Sequence, residues 1–230
     1  MALNERQQEI LSITQKKQRV SVAELAGTLY VSEMTVRRDL AKMEHEGYLK
    51  RFHGGAIAES DYLFYPIETR MHIFEKEKQD LARRASRYLQ NGQTIFLPGS
   101  STCSFLIPCL GGFEGLTVIT NSVQFLVTLS QMRIRCILSG GEYYERNKTL
   151  YGRNAENFLR SINTDISFIA CDGISDDGMV SVENEESAEL VRIGFQNSTR
   201  RIILSDRSKL GCKYTFNICH VSDADDILVI

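Results

Sequence analysis

"VSEMTVRRDLAKMEHEGYLKRFHGGAIA", residues 31–58, is the stretch on which the reading of this chain turns. Ser32 is suited to cap a helix and Gly47 to close one, so a helix is predicted from Ser32 to about Glu46. At about 100° per residue, Val36, Leu40 and Met43 gather on one side of it. Met34, Arg38, Ala41, Lys42 and His45 project from the other side, with Thr35 and Arg37 on the flanks. An apolar stripe therefore backs a basic face. A helix lying in a DNA major groove requires this, because cations meet phosphates there while Thr and Arg reach base edges. A solvated surface helix carries the same arginines, so the face alone does not decide, and its surroundings have to.

Upstream, "LNERQQEILSITQKKQ" (3–18) sets Leu3, Gln7, Ile10, Leu11 and Thr14 along one face of a first helix. Ser21, with Glu24 three residues on, has the spacing of a capping box and opens a short second helix ending near Tyr30. Val31 and Ser32 leave only a tight connection before the third helix, which is the pattern of helix-turn-helix. Downstream, "YLKRFHGGAIA" alternates, carries Lys50, Arg51 and His53, turns at Gly54 and Gly55 and resumes apolar, as a two-stranded wing does.

"VSEMTVRRDLAKMEHEGYLKRFHGGA" resembles the N-terminal signature of DeoR-type bacterial transcriptional repressors, a V-S-x-x-T-[VI]-R-R-D-L recognition helix followed by an H-G-G-A wing. The resemblance implies DNA contact by Ser32, Thr35, Arg37 and Arg38, supported from the wing by Arg51 and His53.

Bulk properties agree with a small DNA-binding head on a larger body. Net charge is −2 over 230 residues, yet residues 1–58 hold nine Lys+Arg against seven Asp+Glu and the remainder 18 against 22. No apolar run approaches membrane-spanning length and the N-terminus is charged, so a soluble cytoplasmic protein without membrane contact is expected. The six cysteines show no C-x-x-C and no nearby histidine at ligand spacing, which points to free thiols, with no metal and no cofactor. The expected domains are a head at 1–58, a linker at 59–74 containing the first proline, Pro66, and a body at 75–230. Tyr62, Phe64 and Tyr65 in the linker are available to pack on a partner head or on the chain's own body.

In the body, helical segments at 75–90, after 101, and at 121–131, 152–161 and 185–197 alternate with "QTIFL", "LTVIT", "IRCILSG", "DISFIAC", "RRIILS" and "DDILVI". Such alternation predicts an α/β domain, a mostly parallel sheet with helices on both faces. Ligands of these sheets sit at the carboxyl ends of strands. Those ends offer Ser100, Ser101 and Thr102 opening a helix, Asn121, the pair Gly140 and Gly141, the carboxylate of Asp172 and the cation of Lys209. Loop amides and Lys suit a phosphate, and Asn and Asp suit hydroxyls, so the set reads as a site for a phosphorylated polyol. Each piece also has a plainer role: the hydroxyl run and "TNS" as helix caps, Asp172 or Asp206 as cap or turn residues.

"LTVITNS", "ILSGG", "DGI" and "LSDRSKLG" are similar to the effector domain of the same family, which resembles ribose-5-phosphate isomerase in fold. The resemblance implies a regulator, usually a repressor of carbohydrate catabolism, that a sugar phosphate releases from operator DNA. Two departures stand out. Ser100 occupies the place where the family commonly has a glycine before paired threonines, which implies a tighter phosphate loop or a changed ligand. The chain ends at Ile230 where the family pattern continues through Thr-Asp to another helix and strand, which implies a shortened sheet or an edge covered by a partner subunit. A sugar-phosphate isomerase with Asp172 and Lys209 as working groups is the enzymatic alternative, and a ligand-free dimerisation body is the structural one. A sensor needs only differential affinity for two states, which suits a body joined to a DNA-binding head. One winged head touches too little DNA for tight binding, so a homo-oligomer is expected.

Overall fold

A computed structural model describes residues 3–58 and 65–230. Two compact units divide the chain, Met1–Glu75 and Lys76–Ile230.

In the first unit, helix α1 (Glu5–Lys17) starts where Asn4 Oδ1 accepts from the Gln7 amide and Gln7 Oε1 accepts from Asn4 N–H. Leu3, Gln7, Ile10, Leu11 and Thr14 are all buried, as their spacing predicts. Strand β1 (Arg19–Ser21) leads into α2 (Val22–Leu29), capped by Ser21 Oγ on the Glu24 amide. Only half of the expected capping box forms, since the Glu24 carboxylate pairs with Lys17. Helix α3 (Glu33–His45) is capped by Ser32, and Gly47 follows it at φ 80°. Strands β2 (Leu49–Phe52) and β3 (Gly55–Ala58) form the wing hairpin. The wing has three strands rather than two, because β1 pairs antiparallel with β3 and places Val20 opposite Ala56.

Part of the expected linker is folded. Helix α4 (Ile67–His72) lies within it, and Tyr65 and Ile73 enter the core shared by Leu11, Leu25, Leu40 and Met43. Tyr65 donates its hydroxyl to the Tyr48 carbonyl and meets the Tyr48 ring edge-on at 5.2 Å, so this aromatic packs on its own head. Tyr62 and Phe64 lie outside the described residues.

The second unit runs α5 (Glu75–Ala85), β4 (Thr94–Phe96), α6 (Ile107–Leu110), β5 (Thr117–Thr120), α7 (Val123–Gln131), β6 (Arg135–Leu138), β7 (Glu142–Tyr144) and β8 (Thr149–Tyr151). It continues through α8 (Arg153–Arg160), β9 (Thr164–Ala170), β10 (Gly173–Ile174), β11 (Met179–Val182), α9 (Glu185–Gln196), β12 (Ser198–Ser205), β13 (Phe216–His220) and β14 (Asp226–Val229). Six of these strands form one parallel sheet in the order β14-β12-β9-β4-β5-β6, and they are the six apolar runs of the sequence. Alternate residues face opposite sides. Ile95, Leu97, Ile166, Phe168, Ile202 and Leu204 meet α5, α6 and α7, while Phe96, Ile169 and Ile203 meet α8 and α9. The hairpin β7–β8 and the small antiparallel sheet β10-β11-β13 are additions to the alternating plan. No helix among the described residues is long and apolar enough to cross a membrane.

Strand order reverses direction at β4. The chain builds outward from β4 to β5 and β6, then crosses to β9 and builds the other way through β12 to β14. The switch point thus lies between β4 and β9, and the carboxyl ends beside it are the usual ligand position in such sheets.

Candidate functional site

On the head, Met34, Arg37, Arg38, Ala41 and Lys42 of α3 are exposed, whereas Val36, Leu40 and Met43 on the opposite side are buried. The two faces divide as the helical wheel predicts. Four of the nominated side chains have work within the head. Ser32 Oγ accepts from the Thr35 amide at 3.2 Å and lies 2.9 Å from Thr35 Oγ1, so this pair holds the start of the helix. Arg37 pairs with Glu33 one turn back at 3.0 Å, and Arg51 lies 3.8 Å from Glu44. These pairs are exposed and weak enough to exchange for phosphate. Arg38 has no ion pair among the described residues, and His53 stands exposed in the wing turn.

Asp39 belongs to the same charged run but turns inward. It is 4% exposed and accepts from Arg6 Nε at 2.6 Å and Gln7 Nε2 at 3.2 Å, tying α3 to α1. Its place beside Leu40 in the helical pattern is the only signal of this in the sequence.

On the body, the loop after β4 carries Ser100, Ser101 and Thr102. Ser100 accepts from the Cys103 amide at 2.9 Å, and it lies outside the positive-φ region, so no glycine is needed there. The helix expected after 101 is a 3₁₀ turn, Cys103–Leu106, followed by one α turn, Ile107–Leu110. Its dipole is correspondingly small. A stronger source of positive charge lies beneath the loop. Lys78 of α5, 3% exposed, sends Nζ to within 3.3 Å of Ser101 Oγ. Charge in "FEKEKQD" does not single out Lys78, but its helical spacing to Leu81, Ala82 and Ala85 puts it on the buried face of α5.

Asn121 after β5 is engaged at both ends of its amide: Oδ1 accepts from Gly99 N–H at 2.8 Å and Nδ2 donates to the Leu150 carbonyl at 3.1 Å. It fixes the β4 loop to β8. Gly99 itself leaves no room for a side chain, since a Cβ there would come within 2.4 Å of Thr149 Cγ2. Gly141, at φ 114°, would set a Cβ 2.2 Å from the Tyr151 carbonyl oxygen, so this residue closes the base of the β7–β8 hairpin. Gly140, at φ 75°, adjoins open space.

On the other side of the switch point, Asp172 follows β9 and accepts from the Glu183 amide at 3.0 Å. Lys209 follows β12 and is 7% exposed, in a short turn opened by Asp206, whose Oδ1 accepts from the Ser208 amide at 2.9 Å. These charges converge on Cys171. Burial, reinforced by Asp172 and opposed by Lys209, pushes its thiol up to about 12. The Cys103 thiol behind the loop at 100–102 is likewise held by burial at about 12 and donates to the Phe168 carbonyl. Both are neutral packing groups. Among the described residues no group of three or more His, Cys, Asp or Glu is placed to hold a metal ion.

The nominated residues thus occupy the carboxyl ends of five adjacent strands, β12 to β6. Strands lie about 4.8 Å apart, so five of them span roughly 19 Å, too wide for one sugar phosphate to touch every residue. The loop at 100–102, Lys78, Asp172 and Lys209 flank the switch point, and Gly140 and Gly141 lie farthest from it. Two clefts of about 450 Å³ open elsewhere, one at the amino ends of β5 and β6 beside Phe113 and Arg133, the other beside Glu189 and Phe216. Neither contains a residue of the strand-end set.

Residues 6–61 match the DeoR-like helix-turn-helix domain, and residues 73–229 match the DeoR C terminal sensor domain. The L-fucose operon activator of Haemophilus influenzae is 33% identical over 90% of this chain and 84% of its own length. The glycerol-3-phosphate regulon repressor of Escherichia coli is 27% identical over 99% of this chain and 90% of its own. Among solved structures, ribose-5-phosphate isomerase A of Methanocaldococcus jannaschii aligns with a TM-score of 0.44 at 19% identity, over 60% of this chain and 55% of the isomerase.

Proposed function

The chain belongs to the DeoR family of helix-turn-helix transcriptional regulators, and on that premise we propose that it represses a carbohydrate catabolic operon and leaves its operator when a phosphorylated sugar binds the body. The chain is a DNA-binding regulator and not an enzyme. One observation carries the choice of effector: two lysines, Lys78 and Lys209, are almost fully buried at the strand ends beside the switch point, one of them against the hydroxyl of Ser101. A phosphate would bring negative charge to these two cations, and the loop amides beside them offer it further donors. Asp172 supplies an acceptor for sugar hydroxyls, while Asn121, Gly99 and Gly141 shape the loop rather than touch the ligand. The names of the two relatives, one a glycerol-3-phosphate regulon repressor and one a fucose operon activator, support a phosphorylated carbohydrate and leave the sign of regulation to be measured.

The protein acts in the cytoplasm as a homo-oligomer, since paired heads raise operator affinity through effective concentration. Release follows from linkage: an effector that prefers the low-affinity state of the body weakens DNA binding by the same factor that DNA weakens effector binding. The test is a thermal-shift screen of pentose and hexose phosphates against the matching free sugars, followed by operator affinity in the presence of each hit. A stabilising sugar phosphate that lowers operator affinity without being converted supports the reading. Conversion to an isomer, or no response to any phosphate, overturns it.

A further inference from the structure

Large hydrophobics that stand exposed among the described residues of the head are Tyr30, at 95% on the C-cap of α2, and Met34, at 75% in the first turn of α3. A lone exposed methionine ordinarily signifies nothing. Met34 is not alone: with Arg37, Arg38 and Ala41 it occupies positions i, i+3, i+4 and i+7, so these four form one continuous exposed stripe along the helix. The stripe has an apolar side chain at each end and guanidinium groups between them. Phosphates alone would favour cations throughout, whereas a floor of base edges offers both polar atoms and thymine methyl groups.

We propose that Met34 is a specificity residue of the DNA interface, packing its thioether against the C5-methyl group of a thymine in the major groove beside the base read by Arg38. This rests on the reading of the protein as an operator-binding regulator. Methionine is suited to the task, being unbranched and adaptable enough to follow a flat methyl surface. Arg38, one turn on, presents the fork that matches guanine O6 and N7. Four residues of helix rise about 6 Å, and base pairs stack about 3.4 Å apart, so the thymine lies within about two base pairs of that guanine.

The experiment starts with selection of duplexes from a random pool by the full-length protein. In the enriched site, deoxyuridine then replaces thymidine one position at a time, which removes only the methyl group. The expected result is one position per half-site where deoxyuridine weakens wild-type binding about fourfold, the worth of one buried methyl, and where Met34→Ala shows no such loss. On the unmodified site Met34→Ala binds about as the wild type does on the deoxyuridine site, and Met34→Leu restores most of the difference. Equal deoxyuridine losses in wild type and Met34→Ala, or none at any position, overturn the assignment of Met34 and leave DNA binding standing. A pool from which no sequence enriches overturns operator binding itself, and this inference with it.

Discussion

The head and the body place their cations in opposite surroundings. Arg37, Arg38, Lys42 and Arg51 of the head are exposed, two of them in weak surface pairs, whereas Lys78 and Lys209 of the body are nearly inaccessible. The proposed function reads this contrast as a difference in what each end recognises. Duplex DNA is a large polyanion met across a wet interface, and solvated arginines bind it by displacing counterions. A small effector has to be singled out from many similar anions, and selectivity of that kind comes from a shaped, water-poor site in which charge is screened little.

The largest effect expected from breaking this contrast lies in the head. Replacing Arg37 and Arg38 together by Ala should remove about 2–6 kcal/mol of specific operator binding, at about 1–3 kcal/mol for each base contact. It should also flatten the dependence of operator affinity on salt, while effector-induced thermal shifts remain as in wild type. Titrations at several salt concentrations would show it, and an unchanged salt slope would mean that these arginines do not meet DNA.

Asp39 is the exception that sharpens the comparison, a charged residue of the head that is buried. Asp39→Ala strands Gln7 and Arg6 and should destabilise the head by about 2–3 kcal/mol, read as a lowered urea midpoint for its transition. Operator affinity measured well below that midpoint should fall less than in the double arginine variant, because Asp39 orients α3 and does not face outward.

In the body, Lys209→Ala and Lys78→Met should each remove a charge-assisted contact worth about 1.5–3 kcal/mol and raise the effector dissociation constant about tenfold to a hundredfold. Operator affinity without effector should stay intact, and more effector should be needed for the same release. Coincident release curves for wild type and variant would make that lysine structural. The smallest change expected is at Ser100. Ser100→Gly removes the cap on the Cys103 amide at a cost of a few tenths of a kcal/mol and frees that N–H for a ligand oxygen. Effector affinity should rise slightly, and a fall would mean that the serine hydroxyl itself holds the ligand.

The legible parts of the molecule are those whose signal is periodic. Val36, Leu40 and Met43 are buried and Met34, Arg37 and Arg38 exposed because an α-helix repeats every 3.6 residues whatever it packs against. The six parallel strands are visible for a similar reason: strands buried on both faces read as short apolar runs between polar turns. Their carboxyl ends located Ser100, Ser101, Thr102, Asp172 and Lys209 on the side of the sheet where the switch point lies.

Local pattern could not say what the inward polar groups of those elements meet. Helical spacing sets Lys78 of α5 on the face of Leu81, Ala82 and Ala85, but only the packing of that helix beneath the β4 loop makes it a partner of Ser101. Asn121 has the composition of a hydroxyl-binding residue, yet both ends of its amide are taken by Gly99 and Leu150, which lie 22 and 29 residues away along the chain. Residues 65–74 read as a connection because Pro66 interrupts the pattern, but Tyr65 and Ile73 find a core in the head that no local window contains. Sequence by itself determined the elements, their order and the sign of charge on each face, since these depend on neighbours within a turn or two. Tertiary structure alone decided what the buried cations meet and which side chains are already occupied, because burial and hydrogen bonding depend on groups that only the folded sheet and helices bring within a few ångströms.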